Sequence, residues 1–255
     1  MTQVKPIIVV IPGAFHRPSH YADVIQPLQS LGYTVLSVPL VAAGDTDVSP
    51  SATPADDAKA IHAQLLPLLD AGNEAVIFAH SYGSMVATVC IQGQTKAERS
   101  ARNLAGGVVG AIWAAAFAFP VRGRNVQGGE GEMPLREHRI LKDGLISLTE
   151  GAKPQFYNDL PAETADVAFA SLCKFQSKKS MNTFPQFLES EITVPKLYLL
   201  CERDQTMPPA FQESMVKVGK FDKVVRLESG HSPFLSIPGE VVEAIATFCG
   251  EVAGI

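Results

Sequence analysis

The stretch Ala75-Val76-Ile77-Phe78-Ala79-His80-Ser81-Tyr82-Gly83-Ser84 runs five apolar residues into a histidine, a serine and a glycine. The apolar run reads as a buried strand, and Val86, Val89 and Cys90 recur beyond it at helical spacing. Between them lies a variant of the G-x-S-x-G strand-turn-helix motif, with Ala79 in the first glycine place. The motif needs small residues two before and two after the serine because the turn is tight. Such a turn lifts Ser81 out at the end of a strand and aims the next helix's N-terminus at it, where free N–H groups favour negative charge.

Working outward, apolar runs at 7–11, 33–38, 108–115, 196–201 and 223–227 join the one at 75–79. Each is nearly continuous instead of alternating, as expected of parallel strands covered on both faces. Helical patterns separate them. Tyr21, Val24, Ile25, Leu28 and Leu31 share one face; so do Ile61, Leu65, Leu68 and Leu69, behind the capping signal Thr53-Pro54-Ala55-Asp56. Further patterns carry Met215 and Val218, then Ile245 and Phe248. The alternation predicts an α/β fold with a mostly parallel central sheet flanked by helices.

Residues 121–193 break the rhythm. No strand-like run is read there, and RGRNVQGGEGEMPLREH gives way to short helical patterns rich in aromatics such as Phe156, Tyr157 and Phe187. The expected organisation is a core at 1–120 and 194–255 with a helical cap at 121–193, set over the sheet edge where ligands bind in α/β folds. An ordinary helical layer would use the same aromatics.

Composition sets the outer limits. The chain has 255 residues, 46% of them hydrophobic and 18% charged, with a net charge of -5. A large core is available, disorder is excluded, and no basic field for nucleic acid exists. Cys90, Cys173, Cys201 and Cys249 are too far apart for a C-x-x-C site, so buried thiols, no metal and a cytoplasmic location are expected. The 104–121 stretch holds glycines and ends near Pro120, which favours a strand and loop over a membrane span. No cofactor motif occurs, and the composition leaves room for a homodimer.

A serine hydroxyl becomes a nucleophile only when a base takes its proton. Of six histidines, His231 follows the last strand in Gly230-His231-Ser232-Pro233, and Asp204 follows the preceding strand. Both loops open on the edge that carries Ser81. The order Ser81, Asp204, His231 thus predicts a catalytic triad, with Glu202 as a rival for Asp204. His62 and His80 read as structural. The N–H groups of Ala14 and Tyr82 are the candidate oxyanion donors. Phe15, Tyr82, Phe119, Met207 and Phe234, beside these loops, are expected pocket residues, and Arg17 a candidate for a polar substituent.

These segments, together with Val9-Val10-Ile11-Pro12-Gly13-Ala14-Phe15-His16 and Pro39-Leu40-Val41-Ala42-Ala43-Gly44, make the chain resemble the α/β-hydrolase superfamily, and within it the plant methylesterase and hydroxynitrile lyase group. The resemblance covers most of the chain outside the cap. It implies a Ser-His-Asp enzyme with a helical cap, acting on small esters of hydrophobic acids. Pro12 stands where many members have His, and Ala79 replaces Gly. Lyases of the group are marked by a Thr in the oxyanion loop and a Lys after the catalytic His; Gly13 and Ser232 occupy those places. A hydrolase of a hydrophobic carboxylic ester or lactone is therefore expected. A lyase or cyclisation catalyst in the same pocket, and a non-hydrolytic ligand-binding receptor, are the alternatives.

Overall fold

The computed structural model describes residues 5–254; residues 1–4 and 255, which the expected core segments include, lie outside them. Six strands form one parallel sheet: β1 (Ile7–Ile11), β2 (Val35–Ser37), β4 (Glu74–His80), β5 (Gly107–Ala114), β9 (Lys196–Cys201) and β10 (Lys223–Leu227). Their spatial order is β10-β9-β5-β4-β1-β2, and every neighbouring pair is parallel. Strand β4 therefore sits inside the sheet, and its C-terminal end opens on the same edge as those of β1, β9 and β10.

Side chains alternate across the strands, so β1 feeds two cores. Ile7, Val9 and Ile11 pack on one side with Ile61 and Leu65 of α2 (Pro54–Asp70) and Val86 of α3 (Gly83–Ile91). Ile8 and Val10 pack on the other with Val24 and Leu28 of α1 (Ala22–Ser30) and Ile245 of α10 (Pro238–Ala253). The short α4 (Lys96–Ser100) and α9 (Pro233–Ser236), with α8 (Pro209–Gly219), complete the layers. The expected cap of α2 forms: the Asp56 carboxylate accepts both the N–H and the hydroxyl of Thr53 at 2.8 Å. Not every strand is interior, however. On the edge strand β10, residues 223–226 are exposed, and Arg226 pairs with Glu202 and Glu213, charges that protect a free edge.

The 121–193 insertion differs from the helical cap expected. Strands β6 (Arg139–Lys142) and β7 (Leu145–Leu148) form a hairpin, and β8 (Phe175–Ser177) pairs with β7 and with β3 (Ala43–Gly44), giving an antiparallel sheet of order β3-β8-β7-β6. The helices α5 (Lys153–Phe156), α6 (Ala162–Ala170) and α7 (Lys178–Met181) are short. The physical reason is the turn Asp143-Gly144, with φ of 52° and 78°; Asp-Gly is a preferred pair for a tight hairpin turn. Among the described residues no helix is long and apolar enough to cross a membrane, and no cluster of His, Cys, Asp and Glu is arranged to hold a metal. All four cysteines are buried and unpaired.

Where the insertion returns to the core, the fully buried Glu189 accepts the Phe119 N–H and lies within hydrogen-bond distance of the Thr88 hydroxyl oxygen, each at 2.8 Å. Burial pushes its carboxyl up to about 7. An acid whose folded pKa is raised binds more protons folded than unfolded, so stability falls as pH climbs from about 4.5 through 7. Glu189→Gln can keep both contacts, because Thr88 already donates to the Ser84 carbonyl and can accept from an amide. The variant's Tm should gain on that of the parent between pH 5 and 7.5, measured by thermal melts; parallel curves would show that Glu189 does not titrate in this range.

Candidate active site

Ser81 has φ of 50°, a left-handed conformation unfavourable for a residue with a Cβ, and the fold holds it there from three sides. Its N–H donates to the Ala114 carbonyl of β5 at 3.0 Å, and its carbonyl accepts the Ser84 N–H at 3.0 Å and the Ser84 hydroxyl at 2.9 Å. The third restraint is steric. A Cβ at Gly83 would lie 2.5 Å from the Ile11 carbonyl oxygen and 2.7 Å from that of Pro12, so only glycine lets α3 begin against the end of β1. Ala79 is fully buried at the other small position.

The turn brings Ser81 Oγ to 3.1 Å from His231 Nε2, while His231 Nδ1 lies 2.8 Å from Asp204 Oδ2. Asp204 and His231 are almost wholly buried. The Asp204 carboxylate requires a donor at Nδ1, so Nε2 is left to accept the serine proton. Asp204 is itself fixed: Oδ1 accepts the N–H groups of Thr206 at 2.7 Å and Met207 at 2.8 Å. Its rival Glu202 is turned outward onto Arg226. The three sequence-predicted residues are therefore brought together.

His80 has a positioning role that its place beside the turn only partly suggested. Its Nε2 lies 2.8 Å from the His231 carbonyl and its Nδ1 2.9 Å from the Tyr21 hydroxyl, which accepts the Gly13 N–H at 3.0 Å. Burial and the neighbouring His231 hold the His80 pKa well below the ordinary histidine value, so the ring is neutral. Nε2–H then donates to the carbonyl, and Nδ1 accepts from Tyr21. One chain of hydrogen bonds thus links the Gly13 loop, the strand end and the backbone of His231. His62 is structural, reaching the Cys90 carbonyl at 2.9 Å.

Above Ser81 lies a cavity of about 370 Å³. Ala14 lines it, as does Phe119, and neither the Ala14 nor the Tyr82 N–H enters a turn or loop hydrogen bond among the described residues. Other expected pocket residues face elsewhere. Phe15, at φ 64°, is fully buried in the core, where its N–H and carbonyl meet Gln176 and Cys173 of the insertion. Met207 is buried without reaching the cavity, and Phe234 stacks on Tyr21 with ring centroids 4.0 Å apart. The Tyr82 side chain points back into the core and donates to Asp57 at 2.6 Å; Arg17 pairs with Asp45.

The walls come instead from residues that sequence reasoning missed. His16 is buried at the cavity, its Nδ1 on the Ala14 carbonyl and its Nε2 on the Tyr157 hydroxyl, both 2.9 Å; burial keeps it neutral. Met133, Leu135, Arg136, Arg139 and Phe156 bring the insertion over the site. Asp159 anchors that cover, its carboxylate accepting the Gly230 N–H at 2.6 Å beside His231. Gly230 has no room for a Cβ, which would lie 2.3 Å from the Asn158 amide oxygen. Only the G-H pair before the final helix hinted at this close approach.

Tyr21→Phe should remove the shared hydroxyl, leaving the buried Gly13 N–H and His80 Nδ1 unpaired. The expected cost is about 1–3 kcal/mol of stability, read from the urea midpoint. An unchanged midpoint would show that the chain is not a structural brace.

A family model described as "Alpha/beta hydrolase family" matches residues 8–244. The chain is 32% identical over 257 residues to the alpha/beta hydrolase nvfD of Aspergillus novofumigatus, covering 99% of this chain and all of that one. Its fold resembles the crystal structure of a pyrethroid hydrolase from Sphingobium faniae JZ-2, with TM-score 0.70, 22% identity and 98% and 99% of the two chains covered. It also resembles the methylesterase MES16 from Arabidopsis, with TM-score 0.71, 17% identity and 95% and 98% covered. With its parallel sheet, the turn after β4 and this match over nearly its whole length, the chain belongs to the alpha/beta hydrolase family.

Proposed function

We propose that the protein is a serine hydrolase cleaving a carboxylic ester or lactone of a small hydrophobic substrate through an acyl-enzyme. The observation that carries this reading is the continuous relay from Ser81 Oγ to His231 at 3.1 Å and from His231 to Asp204 at 2.8 Å, opening into a largely apolar cavity. His231 Nε2 takes the Ser81 proton as Oγ attacks the carbonyl carbon. Asp204 stabilises the imidazolium, and the imidazolium returns the proton to the leaving alcohol. The N–H groups of Ala14 and Tyr82 receive the oxyanion. Water, deprotonated by the same histidine, then releases the acid and frees Ser81.

In this reading residues 121–193 act as the cap, supplying the cavity's roof and excluding bulk water. Relatives named as hydrolases, among them nvfD, are consistent with it. Buried, unpaired cysteines fit a cytoplasmic setting.

An organophosphonate should label Ser81, located by peptide mass spectrometry, and Ser81→Ala should abolish both labelling and turnover of aryl esters. Turnover retained by that variant would remove the acyl-enzyme and leave His231 acting alone on a different reaction. Asp204→Asn should keep the fold and lower kcat by about 10⁴-fold, the loss typical when a triad aspartate can no longer fix the imidazole tautomer. A loss under tenfold would mean that Asp204 is not the orienting group.

A further inference from the structure

Two cap arginines, Arg136 and Arg139, line the cavity wall, and among the described residues the wall contains no Asp or Glu. That is an unexpected arrangement in a chain with a net charge of -5. Neither arginine forms an ion pair among the described residues, although most other arginines do: Arg17, Arg99, Arg122, Arg124, Arg203 and Arg226 each hold a carboxylate. Arg136 has one backbone contact, its Nη2 donating to the Thr206 carbonyl at 2.9 Å. The Nε of Arg139 is buried with no hydrogen-bond partner among the described residues.

The two are placed together by the chain. The Arg139 N–H closes a turn onto the Arg136 carbonyl at 2.9 Å at the start of β6, so two guanidinium groups come from one turn. Burial, and then the neighbouring Arg136, push the Arg139 guanidinium down to about 10. The carboxylate whose charge reaches Arg136 is Asp204, and its oxygens are already occupied by His231, Thr206 and Met207. The half-buried guanidinium of Arg139, with an unused donor, a second and more exposed cation beside it and no ion pair among the described residues, is costly unless an anion completes it.

We infer that the cavity binds a substrate carrying a free carboxylate, held by Arg136 and Arg139, and that the ester or lactone cleaved at Ser81 is a second group on the same otherwise apolar molecule. This rests on the hydrolase reading for the bond cleaved but not for the anion bound. A planar carboxylate suits the guanidinium fork, which can donate two parallel hydrogen bonds to it. Phe117, Phe119, Met133, Leu135, Phe156 and Phe184 supply the apolar contact for the rest of the molecule.

Two measurements test this. Calorimetry should show 4-phenylbutanoate binding about 10- to 100-fold more tightly than 4-phenylbutanamide at low salt, a preference that falls with added salt and disappears in Arg139→Met. In turnover, 4-nitrophenyl hydrogen adipate should exceed 4-nitrophenyl methyl adipate in kcat/KM, chiefly through KM, and Arg139→Met or Arg136→Met should reduce that ratio about tenfold or more. Equal binding of acid and amide by the parent protein overturns the inference, and that arm needs no folded variant. A carboxylate preference in calorimetry without phosphonate labelling of Ser81 would sink the hydrolase reading alone.

Discussion

The start of α3 against the end of β1 is the contact on which the site depends. Gly83 brings the helix N-terminus directly against the Ile11 and Pro12 carbonyls, and this approach fixes Ser81 in its left-handed conformation beside the Gly13 loop. One glycine therefore sets both the direction of the Ser81 side chain and its approach to the loop that carries Ala14. The strain at Ser81 is small beside the packing that enforces it, since β1, β4 and β5 are buried almost throughout.

From this contact the histidines take distinct tasks through their tautomers. His231 has a carboxylate on Nδ1 and so presents a bare Nε2 to Ser81; His80 has a carbonyl on Nε2 and so accepts from Tyr21 on Nδ1. His16 is arranged like His231, with the Ala14 carbonyl in place of the carboxylate. Without a carboxylate partner, it lacks the group that would stabilise an imidazolium, which favours the proposed role of His231 as base and leaves His16 a neutral wall of the cavity.

Much of the core was legible in the sequence because its elements are written locally. The runs at 7–11, 196–201 and 223–227 became strands with those same bounds, and residues placed just after strands met at the sheet edge as parallel topology requires. The hairpin Arg139–Lys142 and Leu145–Leu148 escaped notice because its alternating strands are short and partly charged, although Asp143-Gly144 marked its turn. Proximity along the chain proved a poor guide to the pocket. Phe119 reaches the cavity, whereas the backbone turns Phe15 and the stacking on Tyr21 holds Phe234 away from it. Arg136 and Arg139 come to line the cavity only when the insertion folds over Ser81, a tertiary event without a local signature.

The pairing of β3 with β8 carries a mechanical implication for entry to the site. Ala43–Gly44 belongs to the chain between β2 and α2, yet it is stitched by main-chain hydrogen bonds to a strand of the insertion. A roof sewn to its own foundation cannot swing open as one rigid plate without tearing that seam. Passage for a ligand that spares the seam is left to the wall segments without a strand partner, the glycine-rich run from 121 to 137 and the stretch 182–184, both of which face the cavity.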